Sequence, residues 1–326
     1  MSFINKVSKI FKKGGIEKLK VFTEARIKNI FELKPENAFP LTPNLPLPAN
    51  VSEEKLFDFL KSVMVANAPP QEMENYCRQD FKRFAYTFGL LRQNTGKCLE
   101  LGANPYFTTM LLKQFTPLEL TCANYFGATH KTGKMSQDVY FNDFETGKSS
   151  TVTFKFDHFN IEEESFPYGT AFFDVVLFCE IIEHLLMDPV AVLKEIKRVL
   201  KPGGTLILTT PNVSRLENVA KMIGGANIYD PYSGYGPYGR HNREYNKHDL
   251  FLLLDYLGFS MYEMFTADVH PNNANGYCSI TKIKGLLKNR EHDIGQYIFL
   301  RAQNIREAGK KKPSFLYRSY PNADLE

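Results

Sequence analysis

From residue 97 onward, short apolar runs of strand length alternate with longer segments whose apolar residues recur at helical spacing. That alternation predicts an α/β fold, a mostly parallel sheet with helices on both faces. The expected strands are 97–101, 118–123, 151–157, 173–179, 204–210, about 259–266 and 296–302. Between the second and third, "DVYFNDFETGKSSTVTFKF" alternates with period two around Thr146 and Gly147, which predicts a β-hairpin where a crossover helix is usual. The best-marked helix is expected over 183–203: Asp188 as cap, Pro189 first, Leu193, Ile196, Val199 and Leu200 as the buried stripe, and "KPGG" as the stop. Another is expected from Asn246, with Asp249 three residues on, to Gly258.

Upstream the pattern changes. Helices over 52–66 and 71–92, with Ser52 as N-cap and a break at Pro69 and Pro70, predict a helical cap across 51–96. Before it, residues 35–50 form a proline-rich linker. Residues 1–34 read as a basic amphipathic helical segment: Phe3, Ile4, Val7, Ile10 and Phe11 recur at helical spacing, with Lys6, Lys9, Lys12 and Lys13 between them. Residues 306–326 are expected to be a C-terminal tail.

Composition narrows the class. A chain of 326 residues, 43% hydrophobic, can bury a sizeable core. No apolar run reaches the roughly 20 residues needed to cross a bilayer, and the first residues lack the apolar centre of a secretory leader. A cytoplasmic location is therefore expected, with peripheral contact between residues 1–13 and an anionic membrane surface as one use of the basic helix and packing on protein as the other. Of the net charge of +4, residues 1–34 carry +6 and the remainder −2, which argues against a nucleic-acid partner. The five cysteines are scattered, without a CxxC pair or a histidine at ligand spacing, so no metal is expected.

The chemistry begins at "CLELGANPYFTTML", residues 98–111. A strand ending in "LEL" delivers Glu100 to the carboxyl edge of the sheet, Gly102 permits close approach of a ligand, and Asn104 is expected to cap a helix whose first residue is Pro105. The stretch "FFDVVLFCEIIEHLLMDPVAVLKEIKRVLKPGGTLILTTPN", residues 172–212, resembles the class I S-adenosylmethionine-dependent methyltransferases, in their bacterial small-molecule and glycan branch, and the likeness extends over about 95–305. It implies a doubly wound, Rossmann-like, seven-stranded sheet whose last strand is antiparallel, and S-adenosylmethionine as cofactor. It also implies that Glu100, Gly102, Ala103 and Asn104 surround the methionine moiety. Asn124 then stands where an acid usually holds the ribose, Asn160 and Ile161, or less well Asp157, lie beside the adenine, and Glu180 lies at the cofactor edge. An NAD-dependent reductase or epimerase is the main alternative enzyme, but it expects a GxGxxG turn where this chain has "GANPYF". A degenerate cofactor-binding module working at a membrane surface is the alternative from another class.

A hydroxyl acceptor would call for a base, and two histidines occupy suitable places: His184 in "CEIIEHL" and His241 in "YGPYGRHNREY". Residues 213–245 are expected to form an acceptor lid. Its tyrosines, among them Tyr235, Tyr238 and Tyr245, offer flat faces and hydroxyls, and Arg240 and Arg243 can clamp anionic groups. The resemblance implies a sugar or other small-molecule acceptor in surface-glycan synthesis, methylated on oxygen.

Overall fold

The computed structural model describes residues 42–287, 290 and 292–326, so the basic helix expected over 1–34 and the first part of the linker lie outside the described residues. Helix α1 (Glu53–Lys61) starts at Ser52, whose hydroxyl accepts the Lys55 N–H, with Glu53 and Glu54 in the first turn. It stops short of residue 66 because Met64–Val65 becomes a two-residue strand, β1. Helix α2 (Pro70–Leu91) follows the paired prolines as expected.

Among the described residues the sheet has nine strands rather than seven. In chain order they are β1, β2 (Gly96–Leu101), β3 (Leu118–Asn124), β4 (Gly133–Asn142), β5 (Ser149–His158), β6 (Phe173–Cys179), β7 (Leu200–Pro211), β8 (Phe259–Ala267) and β9 (Tyr297–Asn304). Across the sheet they run β1-β4-β5-β3-β2-β6-β7-β9-β8. The seven expected strands are all present, β5-β3-β2-β6-β7 parallel and β9 antiparallel between β7 and β8. The two additions are the hairpin's first arm, β4, and the β1 segment that pairs with it. Asp143 closes the hairpin by accepting both the N–H and the hydroxyl of Thr146, and Gly147 takes the left-handed φ the turn requires.

Helix α3 (Phe107–Phe115) follows β2, and α4 (Pro189–Val199) joins β6 to β7. The latter is shorter than expected. Asp188 does cap it, accepting from the Val190 and Ala191 N–H groups, but a residue before proline avoids helical geometry. The 182–184 segment is accordingly a separate 3₁₀ turn. At the other end "KPGG" lies inside β7, where Leu200 already pairs with Phe173 and a register shift accommodates the glycines. Helices α5 (Leu216–Ile223), α6 (Lys247–Tyr256) and α7 (Ile280–Leu287) complete the set. Asn246 caps α6 by accepting the Asp249 N–H, and at Gly258, φ +78°, a Cβ would meet the Arg306 carbonyl at 2.3 Å.

Strand periodicity divides the core. On one face Cys98, Val175, Leu177, Ile207 and Phe299 meet α1, α2 and α3 through Leu56, Phe59, Phe84, Phe107 and Leu111. On the other, Leu99, Val176, Phe178, Leu206 and Leu300 meet α4 and α6 through Leu193, Ile196, Leu250 and Leu254. Residues 51–96 are thus a covering layer of the sheet rather than an appendage. Among the described residues, no helix is long and apolar enough to cross a membrane.

Candidate active site

Strand order reverses between β2 and β6: the chain winds outward from β2 through β3 and β5 on one side and through β7 on the other. Open α/β sheets bind ligands at the carboxyl edge of such a point. A cavity lies there, lined by Leu101, Gly102, Ala123, Asn124, Tyr125, Phe159, Asn160, Ile161, Glu180, Ile181, His184, Leu185 and Tyr238.

Its floor is the turn after β2. Gly102 has φ +69°, and a Cβ there would lie 3.0 Å from the Ile181 side chain across the cavity wall. The N–H groups of Gly102 and Ala103 donate to the Ala123 carbonyl, and that of Asn104 donates to the Asn124 side-chain oxygen at 2.9 Å. The Asn124 amide nitrogen donates in turn to the Tyr106 hydroxyl at 3.1 Å, and the Tyr106 ring stacks on Phe154. An amide suits this position because it accepts from the loop and donates to the phenol at once, whereas a carboxylate has nothing to donate. Helix α3 starts later than expected: the Asn104–Pro105 bond is cis, Tyr106 at φ 70° occupies the N-cap position, and Asn104 bonds Gln137 instead of capping.

Of the residues implied to hold the cofactor, Gly102, Asn124, Asn160, Ile161 and Glu180 line the cavity. Glu100 and Ala103 are buried beside it, and Asn104 lies in the loop behind. Glu100 accepts from the Thr109 hydroxyl at 2.6 Å, and burial pushes its carboxyl up to about 7. Of Asn160 and Asp157, Asn160 lines the cavity and Asp157 does not. Asp157 is spent on Tyr168 and Lys134, while Asn160 faces the cavity and donates to the Tyr238 hydroxyl at 3.2 Å.

Glu180 follows β6 with φ 54° and accepts from Thr209 at 2.7 Å. Burial raises its pKa, opposed chiefly by Arg83, which lies 4.0 Å away and is itself bound to Asp80 and the Tyr76 hydroxyl. Glu183, in the 3₁₀ turn, is fully buried; one oxygen accepts from Thr210, and burial followed by the Glu180 charge drives its pKa well up.

The two histidines meet, with ring centroids 5.1 Å apart. His184 Nδ1 lies 2.9 Å from the Arg240 carbonyl, which can only accept, so Nδ1 carries the proton. His241 Nδ1 lies 2.8 Å from Glu244, whose carboxyl is buried yet held below its usual range by bonds from His241 and Arg215. Burial lowers the His184 pKa; for His241 the burial penalty is outweighed by Glu244, and the pKa rises. The backbone that carries His241 is pinned to the same turn: the Asn242 and Arg243 N–H groups donate to the Glu183 carbonyl, and the Asn242 side chain to that of His184.

The rest of the expected acceptor set disperses. Tyr245 is 1% exposed and packs in the core on the α6 side, out of reach of any ligand. Tyr235 is 91% exposed and outside the cavity. Arg240 lies over the Tyr232 ring and bonds Asn242, and Arg243 lies near Asp249 and over Tyr245, so neither guanidinium lines the cavity. Tyr125, Phe159, Ile181 and Leu185 line it without having been anticipated, because apolar wall residues look like core residues in a sequence. Glu183 and Glu244 were also missed, although "EH" and "HNRE" put each carboxylate beside a histidine already singled out.

Residues 108–208 match the family model described as methyltransferase domain. No curated protein matches the sequence. Three solved structures are similar at low identity. A chain from the complex of the Haloferax volcanii Trm112 methyltransferase activator with a methyltransferase is 16% identical, with 79% of this chain and 100% of that one covered at a TM-score of 0.43. An S-adenosylmethionine-dependent methyltransferase from Archaeoglobus fulgidus is 16% identical, with 70% and 93% covered at 0.41. A Thermotoga maritima methyltransferase described as a possible histamine N-methyltransferase is 16% identical, with 72% and 95% covered at 0.43. The segment similar to a methyltransferase domain runs from α3 into β7 and includes Asn124, Asn160, Glu180 and His184 of the cavity wall.

Proposed function

We propose that the protein transfers a methyl group from S-adenosylmethionine to a hydroxyl of a small polar acceptor, with a sugar in surface-glycan synthesis as the substrate class the sequence resemblance favours. The observation that carries this reading is the adjacency of the switch-point cavity to two imidazoles whose Nδ1 positions are both tied back. The cavity fits the cofactor: its walls are apolar with a few inward polar groups, and Gly102 leaves the backbone bare where a side chain would intrude. Asn160, Ile161, Leu185 and Tyr125 would enclose the base and ribose, and Gly102 and Glu180 the amino-acid end. When bound, the cofactor supplies an electrophilic methyl carbon.

The protein's own work is then orientation and proton removal. Holding a hydroxyl in line with that carbon removes most of the entropic cost of the encounter. His241, with Nδ1–H fixed on Glu244, presents Nε2 to take the hydroxyl proton, in the arrangement of an oriented general base. His184, tied to the lid backbone, keeps the ring pair together.

His241→Ala should lower turnover by about a hundredfold or more at neutral pH while the calorimetric affinity for S-adenosylmethionine stays within a factor of about two. A module that binds cofactor without turning over would instead show no acceptor-dependent release of label in the intact protein. NAD binding without any response to the sulfur cofactor would reject the reading altogether.

A further inference from the structure

Next to the cavity, three side chains converge with donor atoms that hydrogen bonding leaves available. One ligand atom each from Glu183, His184 and His241 lie within 4.8 Å of one another. Glu183 is completely buried, and its Oε1 has no hydrogen-bond partner among the described residues; it lies 3.8 Å from His184 Nε2. A buried carboxylate oxygen without a partner is rare, because it has given up water and received nothing in return.

Both imidazoles are presented as metal-binding histidines are. Each donates its Nδ1–H away from the cluster, His184 to the Arg240 carbonyl and His241 to the Glu244 carboxylate, which Arg215 holds in turn. An outer carboxylate or carbonyl on Nδ1 fixes the tautomer, aims the ring and leaves Nε2 as a lone pair. Two such lone pairs and one carboxylate oxygen make a three-ligand set, and both histidine side chains remain 27% exposed, so a further coordination position is open to solvent and to the cavity that His184 lines.

We propose that Glu183, His184 and His241 bind one divalent transition-metal ion of the zinc class, with an open position facing the acceptor side of the cavity. Two imidazoles favour zinc, cobalt, nickel, copper or iron over magnesium, calcium or manganese, which prefer oxygen-rich sets. In a tetrahedral site with bonds of about 2.1 Å the ligand atoms stand about 3.4 Å apart, so the Glu183–His184 separation of 3.8 Å must close by a few tenths of an ångström, and the separations to His241, which lie within 4.8 Å, by at most about 1.4 Å. None of the sequence signals for metal predicts this. The carboxylate and first imidazole are adjacent in the chain on a 3₁₀ turn, and the second arrives from the lid, pinned there by Asn242 and Arg243. An ion so placed would polarise an acceptor oxygen and lower its pKa, so that in the loaded protein the metal would replace His241 Nε2, then a ligand, as the group that activates the hydroxyl.

The test needs neither cofactor nor acceptor, so it stands apart from the outcome of the methyl-transfer assay. Chelator-treated full-length protein is titrated with Co²⁺, followed by visible absorption, and with Zn²⁺, followed by calorimetry. One ion per chain should bind. Glu183→Gln, His184→Ala and His241→Ala should each weaken binding at least a hundredfold, and His130→Ala and Cys278→Ser, both away from the cluster, should not change it. Glu244→Gln, which keeps the side chain's shape and lies behind the ligand rather than among them, should weaken binding about tenfold to a hundredfold and settles the matter if a triad variant misfolds. Absence of stoichiometric binding by the intact chain, or equal binding by Glu244→Gln and the wild type, would overturn the proposal.

Discussion

Glu100 ends the strand that opens onto the cavity, yet its carboxyl turns beneath α3 to Thr109 and is held up to about 7 by burial. Because this value lies above the unfolded 4.5, the group's contribution to stability is fully present below about 4.5 and is lost as pH rises through about 7. At about 1.4 kcal/mol per pH unit across that interval, the loss is at most about 3.5 kcal/mol. Glu100→Gln, which still accepts from Thr109, should flatten the pH dependence of stability between pH 4.5 and 7.5; urea unfolding across that range checks it, and parallel curves for the two proteins would reject the assignment. Asn124 carries the same lesson. Its place at the tip of β3 was legible from "LTCANYF", but its partners, a loop N–H and the Tyr106 hydroxyl, depend on how two loops cross in space. Tyr245 was misread for the opposite reason: a tyrosine among exposed tyrosines looks like its neighbours, and nothing local announces that its backbone pairs beside Asn212 and its ring turns inward.

At the scale of elements, α2 does more than cover the sheet. Arg83 on its inner face is 6% exposed and joins Asp80, Tyr76 and Glu180 in one buried cluster behind the cavity. Replacing one member of such a cluster strands the others in a poor solvent for charge. Arg83→Met should therefore cost about 3–5 kcal/mol in urea unfolding and release Glu180 from its place at the cavity wall. A loss below about 1 kcal/mol would mean the cluster is wetter than its burial implies. In the sequence, Asp80 and Arg83 are three apart on a helix and look like any surface pair, which is why this support was not foreseen. The elements themselves were largely legible, because strand and helix periods are local properties. Their ends were not. The break between the 3₁₀ turn and α4 depends on one proline acting on Asp188, and β1 exists only because β4 offers it an edge. The lid was legible as a tyrosine-rich loop, but only Tyr238 of its tyrosines reaches the cavity wall.

Across the whole molecule, the two ends of the chain should behave differently on removal. Every residue lining the cavity lies between Leu101 and Tyr238, and the layers enclosing it begin with α1 at Glu53. A protein starting at Pro35 should therefore keep its cofactor affinity within a factor of about two. Any binding of the full chain to anionic liposomes at low salt should be lost with Lys6, Lys9, Lys12 and Lys13, since each basic residue near such a surface contributes about 1 kcal/mol. The C-terminal segment, expected to be a tail, is instead a clasp. Tyr317 is buried in the α4–α6 side of the core, and both its hydroxyl and the Lys312 ammonium bond Asp188, the cap of α4. Lys312 also bridges Leu325, which folds the segment back on itself, and Gly309 sits so close to the Tyr256 ring that a Cβ would lie 2.1 Å from it. Deleting 306–326 removes a buried aromatic and two partners of a helix cap together, for which about 3–5 kcal/mol is a reasonable scale. The cost should concentrate in α4, whose first turn adjoins the Glu183–His184 turn, so hydrogen exchange over 188–199 should accelerate more than exchange in β2 or β3. Tyr317→Phe separates the two contributions: it keeps the ring and loses only the hydroxyl, with its bond to Asp188 and the one it accepts from the Val190 N–H, and should cost about 1–2 kcal/mol. If the deletion left both the unfolding midpoint and the exchange of α4 unchanged, residues 306–326 would be an appendage after all, and the Asp188 cap would hold without them.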